Sequence, residues 1–403
     1  MKIRTLALAL ATLGLGFAGP TQAAGFSDDV IRIGFITDLS SVYADVDGKA
    51  GADVIQMAID DIGGEINGTK VELLVADHQM KADVASTRAR EWFDQQNMDM
   101  LIGGTNSATG LAMAAVAAEK KKPFIAVGPG ATQLTNEQCT PYTVHYAYNT
   151  EALARGTGMA VVEQGGKTWY FLTADYAFGH SLEQNTAKVV KEAGGKVLGQ
   201  VRAPLSTSDF SSYLLQAQQS GAEVLGLANA GGDTINSIKT AKEFGVTDTM
   251  KLAGLLMFVT DINSLGLENA AGLYLTAPWY WNQNDEAKAW SQRFIDKNGR
   301  APTWIQAADY SAARTYLEAV KATGTDDGDT IMQYLKSHKI NDMFVKDGTI
   351  RPDGLMMHDM MLVQVKTPAE STGPWDYYKT VRSLSAESVF GPESSSTCAL
   401  VKK

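Results

Sequence analysis

Residues 103–109 (GGTNSAT) and 128–132 (GPGAT) are two short polar loops. Each follows an apolar run that reads as a strand, and they bring two hydroxyls, Ser107 and Thr132, to the start of helical or turning sequence. At a helix start the first backbone N–H groups have no partner within the helix. With hydroxyls beside them they suit an anionic oxygen such as a carboxylate. Plain helix capping is the competing use of the same two hydroxyls, and it is what most loop Ser and Thr residues do. The pairing of the loops favours a ligand, because loops that follow successive strands of a parallel α/β sheet lie together at its carboxyl edge.

Other chemistries lack their residues. The five histidines (His78, His145, His180, His338, His358) are scattered, with no HExxH and no paired cysteines, so nothing points to a metal. Gly179-His180-Ser181 is not a nucleophile elbow, since Glu183 stands where the second Gly is needed. GPGAT lacks the Lys of a phosphate-binding loop, and GGTNSATG lacks the G-x-G-x-x-G spacing of a dinucleotide site. A secreted hydrolase would need a nucleophile and a base that the sequence does not assemble. No enzyme and no cofactor is therefore expected. Aromatic residues are more informative. Tyr176 and Phe178 occupy a loop directly after a strand, where a ring would stack on an apolar ligand body, and Tyr43 sits on a comparable loop. Trp279, Tyr280, Trp281 and Trp304 suit crossing-strand and core packing.

The elements that must carry these residues repeat a strand, loop, helix pattern. Residues 30–37 (VIRIGFIT), 71–76 (VELLVA) and 100–103 read as buried parallel strands, and 51–62 and 84–95 as helices. After an extended aromatic run at 142–149 and a helix at 151–162 the pattern restarts: strands at 168–173, 196–201, 223–228 and 251–256, with helices between. This predicts an α/β fold of two doubly wound parallel-sheet lobes, joined by a hinge of several crossing strands. The expected boundaries are a leader at 1–24, lobe 1 from 25–145 plus 279–345, lobe 2 from 146–278 plus 346–366, and a tail at 367–403 returning toward lobe 1. Two hinged lobes imply a cleft that closes on a ligand.

The first 24 residues open with Lys2 and Arg4, continue as an apolar run and reach the small residues TQAA. That is the plan of a cleaved secretory signal, with cleavage expected after Ala23 or Ala24 and no membrane insertion of the mature chain. The formal charge of −10 becomes −12 without Lys2 and Arg4, so a nucleic-acid partner is disfavoured and any anion site must be local. Two cysteines in an oxidising compartment make one disulfide, Cys139 to Cys398, the default, with two free thiols as the alternative.

On residues 31–41 (IRIGFITDLSS), 51–62, IGGTNSATG, VGPGATQLT and TADYAFGHS, the chain resembles the leucine/isoleucine/valine-type solute receptors of ABC importers, the type I periplasmic binding proteins. The resemblance implies a periplasmic location, a membrane permease as partner and a monomer. It also implies that Ser107 and Thr132, with the backbone of Gly130 and Ala131, hold a ligand carboxylate, that Phe178 packs on the ligand, and that Asn229 or Ala230 contributes from the next loop. One departure stands out. Amino-acid receptors of that family place an acid after a second-lobe strand to receive the ligand ammonium, and here the matching string AGLLMFVTD offers Leu256 or Met257, with Asp261 as a displaced substitute. An ammonium buried without an anionic partner is costly. The sequence therefore favours a small carboxylate, aromatic or apolar, without an α-ammonium. A branched-chain amino acid or small amide, or a soluble sensor feeding a chemoreceptor, are the alternatives.

Overall fold

The computed structural model describes residues 25–401, so the expected leader and its cleavage point lie outside the described residues. The first lobe is built on β1 (Val30–Thr37), α1 (Gly48–Asp61), β2 (Glu65–Ile66), β3 (Thr69–Asp77), α2 (Ala82–Gln95), β4 (Met100–Gly103), α3 (Ser107–Lys120), β5 (Phe124–Ala126) and β6 (Thr143–His145). The strands form one sheet in the order β2-β3-β1-β4-β5-β6, parallel except for the short β2 hairpin. β1 lies inside it, Phe35 facing Val75 on one side and Ile102 on the other. Its mostly β-branched and apolar residues, interrupted only by Arg32 and Gly34, are what a strand covered on both faces requires.

The chain then crosses into the second lobe through α4 (Thr150–Leu153), a π-helical turn (Ala154–Gly158) and α5 (Met159–Glu163). β7 (Thr168–Ala174), α6 (Ala177–Glu192), β8 (Lys196–Ala203), α7 (Ser211–Gln219), β9 (Val224–Ala228), α8 (Gly232–Glu243) and β10 (Lys251–Gly254) follow. They make a second parallel sheet, β10-β9-β7-β8. After α9 (Val259–Leu265), α10 (Leu267–Ala270) and β11 (Tyr274–Ala277) the chain returns to the first lobe as α11 (Asp285–Asn298), α12 (Trp304–Thr323) and α13 (Gly328–Ser337), and α12 packs along α1. A ribbon of β12 (Thr349–Ile350) and β13 (Met356–Met357) leads to β14 (Met360–Val365), β15 (Tyr378–Leu384) and α14 (Ala386–Phe390).

The tail holds more structure than its composition shows. β15 joins β11 and β14 in an antiparallel sheet, so only the residues after it reach back to the first lobe. There Cys139 and Cys398 are bridged. The crossings are tied to one another: His145 bridges to Leu355, the Trp279 indole N–H donates to the Met343 carbonyl at 2.9 Å, and a His358 ring nitrogen meets the Ala147 carbonyl at 3.0 Å. Among the described residues no helix is long and apolar enough to cross a membrane.

Candidate functional site

Between the carboxyl edges of the two parallel sheets lies a small space, narrow where the lobes meet. The loop after β1 contributes Tyr43 and Val46. Asp38 shapes that loop by accepting the N–H groups of Ser40, Ser41 and Tyr43 at 2.8–3.1 Å. The start of α12 holds the same loop from behind: Thr303 donates to the Val46 carbonyl at 2.6 Å and the Gln306 amide to that of Asp47 at 3.1 Å. Thr303 and Gln306 also cap each other reciprocally, which fixes this helix end.

The loop into α3 contributes Thr105, Asn106 and Ser107. Asn106, at φ 79°, is the cap of α3, its side-chain oxygen accepting the N–H groups of Ala108 and Thr109 at 2.8 and 3.0 Å. Ser107 is thereby released from capping. Its Oγ instead accepts the N–H groups of both Gly130 and Ala131 at 3.1 Å, which leaves the hydroxyl hydrogen available as a donor. The buried Thr105 hydroxyl has no partner in the protein. This side of the cavity therefore offers hydroxyl donors and the positive end of a helix.

The opposite side is aromatic and apolar. Tyr176 and Phe178 come from the start of α6, Leu256 and Phe258 from the segment after β10, and Tyr148 from the first crossing. Trp304 packs behind Tyr148 and Phe258, its ring centroid 4.8 Å from each. The lobes are closed. The Tyr43 and Tyr176 hydroxyls meet across the cleft at 2.8 Å, and the Gly232 N–H reaches the Val42 carbonyl. Burial holds both phenols far above their ordinary pKa, so they remain neutral.

Of the residues singled out in the sequence, Tyr43, Ser107, Tyr176 and Phe178 line the cavity together. Gly130 and Ala131 stand behind Ser107, their N–H groups already used by it. Thr132 is not on the cavity wall; its N–H and hydroxyl both meet Ser181 at 3.2 Å. Asn229 also lies off the wall, bonded to Ser237 and Thr234 of α8, and its neighbour Ala230 lines the space. Tyr148, Phe258, Thr105 and Asn106 were not singled out. Asn immediately before the first helical residue was the available signal for the cap, and the aromatic crossing for Tyr148.

No residue lining the space carries a charge. Leu256 occupies the wall where an ammonium partner is expected in amino-acid receptors. Asp261 does not replace it: its carboxylate accepts the Phe258 N–H at 2.9 Å and caps α9 from a fully buried position, where desolvation pushes its pKa up to about 7. Behind the Tyr43 and Thr105 loops, Asp47 and Asp309 face each other, both fully buried. Asp47 accepts the Thr37 hydroxyl at 2.5 Å, and Thr37 in turn receives the Thr105 N–H. Desolvation raises the pKa of both acids, which favours one proton held between them.

A sequence profile of the family described as periplasmic binding protein matches residues 30–373. A periplasmic binding protein from Burkholderia mallei superposes with a TM-score of 0.92 at 60% identity, covering 93% of this chain and 100% of that one. A branched-chain amino acid ABC transporter periplasmic ligand-binding protein from Burkholderia xenovorans LB400 gives 0.81 at 40% identity, over 92% and 99%. A solute-binding protein of an ABC transporter from Rhodopseudomonas palustris BisB5, solved with 3,4-dihydroxybenzoic acid, gives 0.80 at 21% identity, over 89% and 98%.

Proposed function

Because this chain belongs to the periplasmic binding protein family and is the solute-binding component of an ABC transporter, we propose that it captures a small carboxylate with an aromatic or apolar body and no α-ammonium. The observation that carries this reading is a closed cavity with hydroxyl donors and a helix start on one side, rings on the other, and no charged side chain. A carboxylate there meets the Ser107 and Thr105 hydroxyls at the start of α3, whose N–H groups at Ala108 and Thr109 are already taken by Asn106. The aromatic or apolar body is then placed against the rings of Tyr43, Tyr148, Tyr176 and Phe178. An α-amino acid would leave its ammonium against Leu256, an unpaired buried charge costing about 3–5 kcal/mol. The dihydroxybenzoate in the Rhodopseudomonas protein supports the reading as a ligand that this fold accommodates.

The second reading, a branched-chain amino acid, is favoured by the description of the Burkholderia xenovorans protein. Thermal shift and calorimetry with benzoate, 4-hydroxybenzoate, 3,4-dihydroxybenzoate, leucine and valine separate the two, since specific binding raises the melting temperature with ligand concentration. The proposal expects a response to at least one aromatic acid and none to leucine or valine. The reverse result overturns it.

A further inference from the structure

Thr132 and Ser181 belong to different lobes, one on the turn after β5 and the other on α6, and they meet outside the cavity. Two more side chains complete the contact. Thr150, at the first crossing, bonds to Ser181 at 2.6 Å, and Asn185, one helical turn beyond Ser181, donates to Thr150 at 2.8 Å. Ser181 and Thr150 are almost wholly buried.

We propose that Thr132, Thr150, Ser181 and Asn185 form a closure latch, and that Ser181 and Asn185 are positioning residues that set how long a ligand is held without touching it. The first-lobe half is prepared in advance. The Asn136 amide donates to the Thr132 carbonyl at 2.9 Å, Asn136 accepts the Thr397 N–H at 3.0 Å, Ser396 donates to the Thr135 carbonyl, and the Cys139–Cys398 bridge anchors this tail. Thr150 is fixed to the same side, its N–H donating to the Gly130 carbonyl at 2.8 Å. Ser181 and Asn185 lie on α6, and Thr150 opens α4, which packs against that helix. When the lobes part, Ser181 leaves the Thr132 N–H and hydroxyl together, so the contact exists in the closed form and is lost in the open one. It thus weighs on dissociation rather than on first encounter.

The latch rests on the capture-by-closure reading, and the test separates the two. With 4-hydroxybenzoate and benzoate as probes, stopped-flow binding to wild type, Ser181→Ala, Thr132→Ala and the double variant should show dissociation about tenfold faster in each single variant. Association should be unchanged, and the double variant should be no worse than either single one. Unchanged dissociation in Ser181→Ala, or additive losses in the double variant, overturns the latch. If neither probe binds wild type, the aromatic-acid reading fails on its own. The latch is then read from inter-lobe distances in doubly spin-labelled, probe-free protein, where Ser181→Ala must lower the closed fraction and an unchanged distribution refutes it.

Discussion

Ser107→Ala removes an oxygen with two employments, and the structure separates them. Ser107 is 1% exposed, and its Oγ satisfies the N–H groups of Gly130 and Ala131 at 3.1 Å each. An alanine leaves both donors buried without a partner, at about 1–3 kcal/mol apiece. Even with partial relaxation the ligand-free protein should lose roughly 2–4 kcal/mol, a fall in Tm on the order of 5–10 °C for a unit of this size. The second employment is the hydroxyl hydrogen. A hydrogen bond to a carboxylate contributes about 1.5–3 kcal/mol, so affinity for a bound aromatic acid should drop a further roughly 10- to 150-fold. Calorimetric unfolding without ligand, and titration with 4-hydroxybenzoate well below the variant's Tm, read the two effects separately. An unchanged Tm would show that water readily replaces Oγ at Gly130 and Ala131. An unchanged affinity, with the Tm lowered, would remove Ser107 from the ligand altogether.

Leu256→Glu places a carboxylate on the apolar wall; affinity for aromatic acids should fall at least about a hundredfold, as expected for an unpaired buried charge, while leucine or valine gains binding, both measured by calorimetry. The Asp47–Asp309 pair predicts a pH effect with a definite sign. Folding raises both carboxyls above the unfolded value of about 4, so their contribution is complete below that value and is lost as pH rises through the folded values. The pair's contribution to Tm should therefore decline from about pH 4 upward, read as the difference between wild type and Asp309→Asn. Asp309→Asn, which keeps a donor for Asp47 and removes one titration, should flatten the Tm–pH curve; a curve parallel to wild type contradicts the shared proton. Replacing Cys139 and Cys398 together by Ser should cost about 2–5 kcal/mol in denaturant unfolding, because the bridge closes a loop spanning 259 positions. A loss below about 1 kcal/mol would mean that the tail is held by Ser396 and Thr397 alone.

The two parallel sheets were legible in the sequence because their inner strands are buried on both faces and mostly apolar, as VIRIGFIT and VLGLA show. β15 was not. YKTVRSL is an edge strand with an exposed middle, and without a buried face it has no hydrophobic pattern to read. In the site, Ser107, Tyr43, Tyr176 and Phe178 could be found because each is a chemically capable residue on a loop that follows a strand. Thr132 has the same local signature, yet its hydroxyl goes to Ser181. The choice between ligand and opposite lobe depends on the direction of a side chain across the cleft, which spacing along one chain does not encode. Asp261 failed as a substitute acid for a local reason: three residues from Phe258, it is spent on the start of α9.

The second parallel sheet is cut from one unbroken stretch of chain, from β7 to β10, whereas the first lobe needs both early and late residues, since α1 is covered by α12 and the turn after β5 by the tail. A chain delivered amino end first can finish the second parallel sheet while the first lobe still waits for its cover. The first lobe is thus the last to mature, and sulfur oxidation can seal it only after Cys398 has emerged. Assembly order, and with it the exposure of β1 and α1 to aggregation or proteolysis, is set by where the chain was interrupted rather than by which half is the more stable.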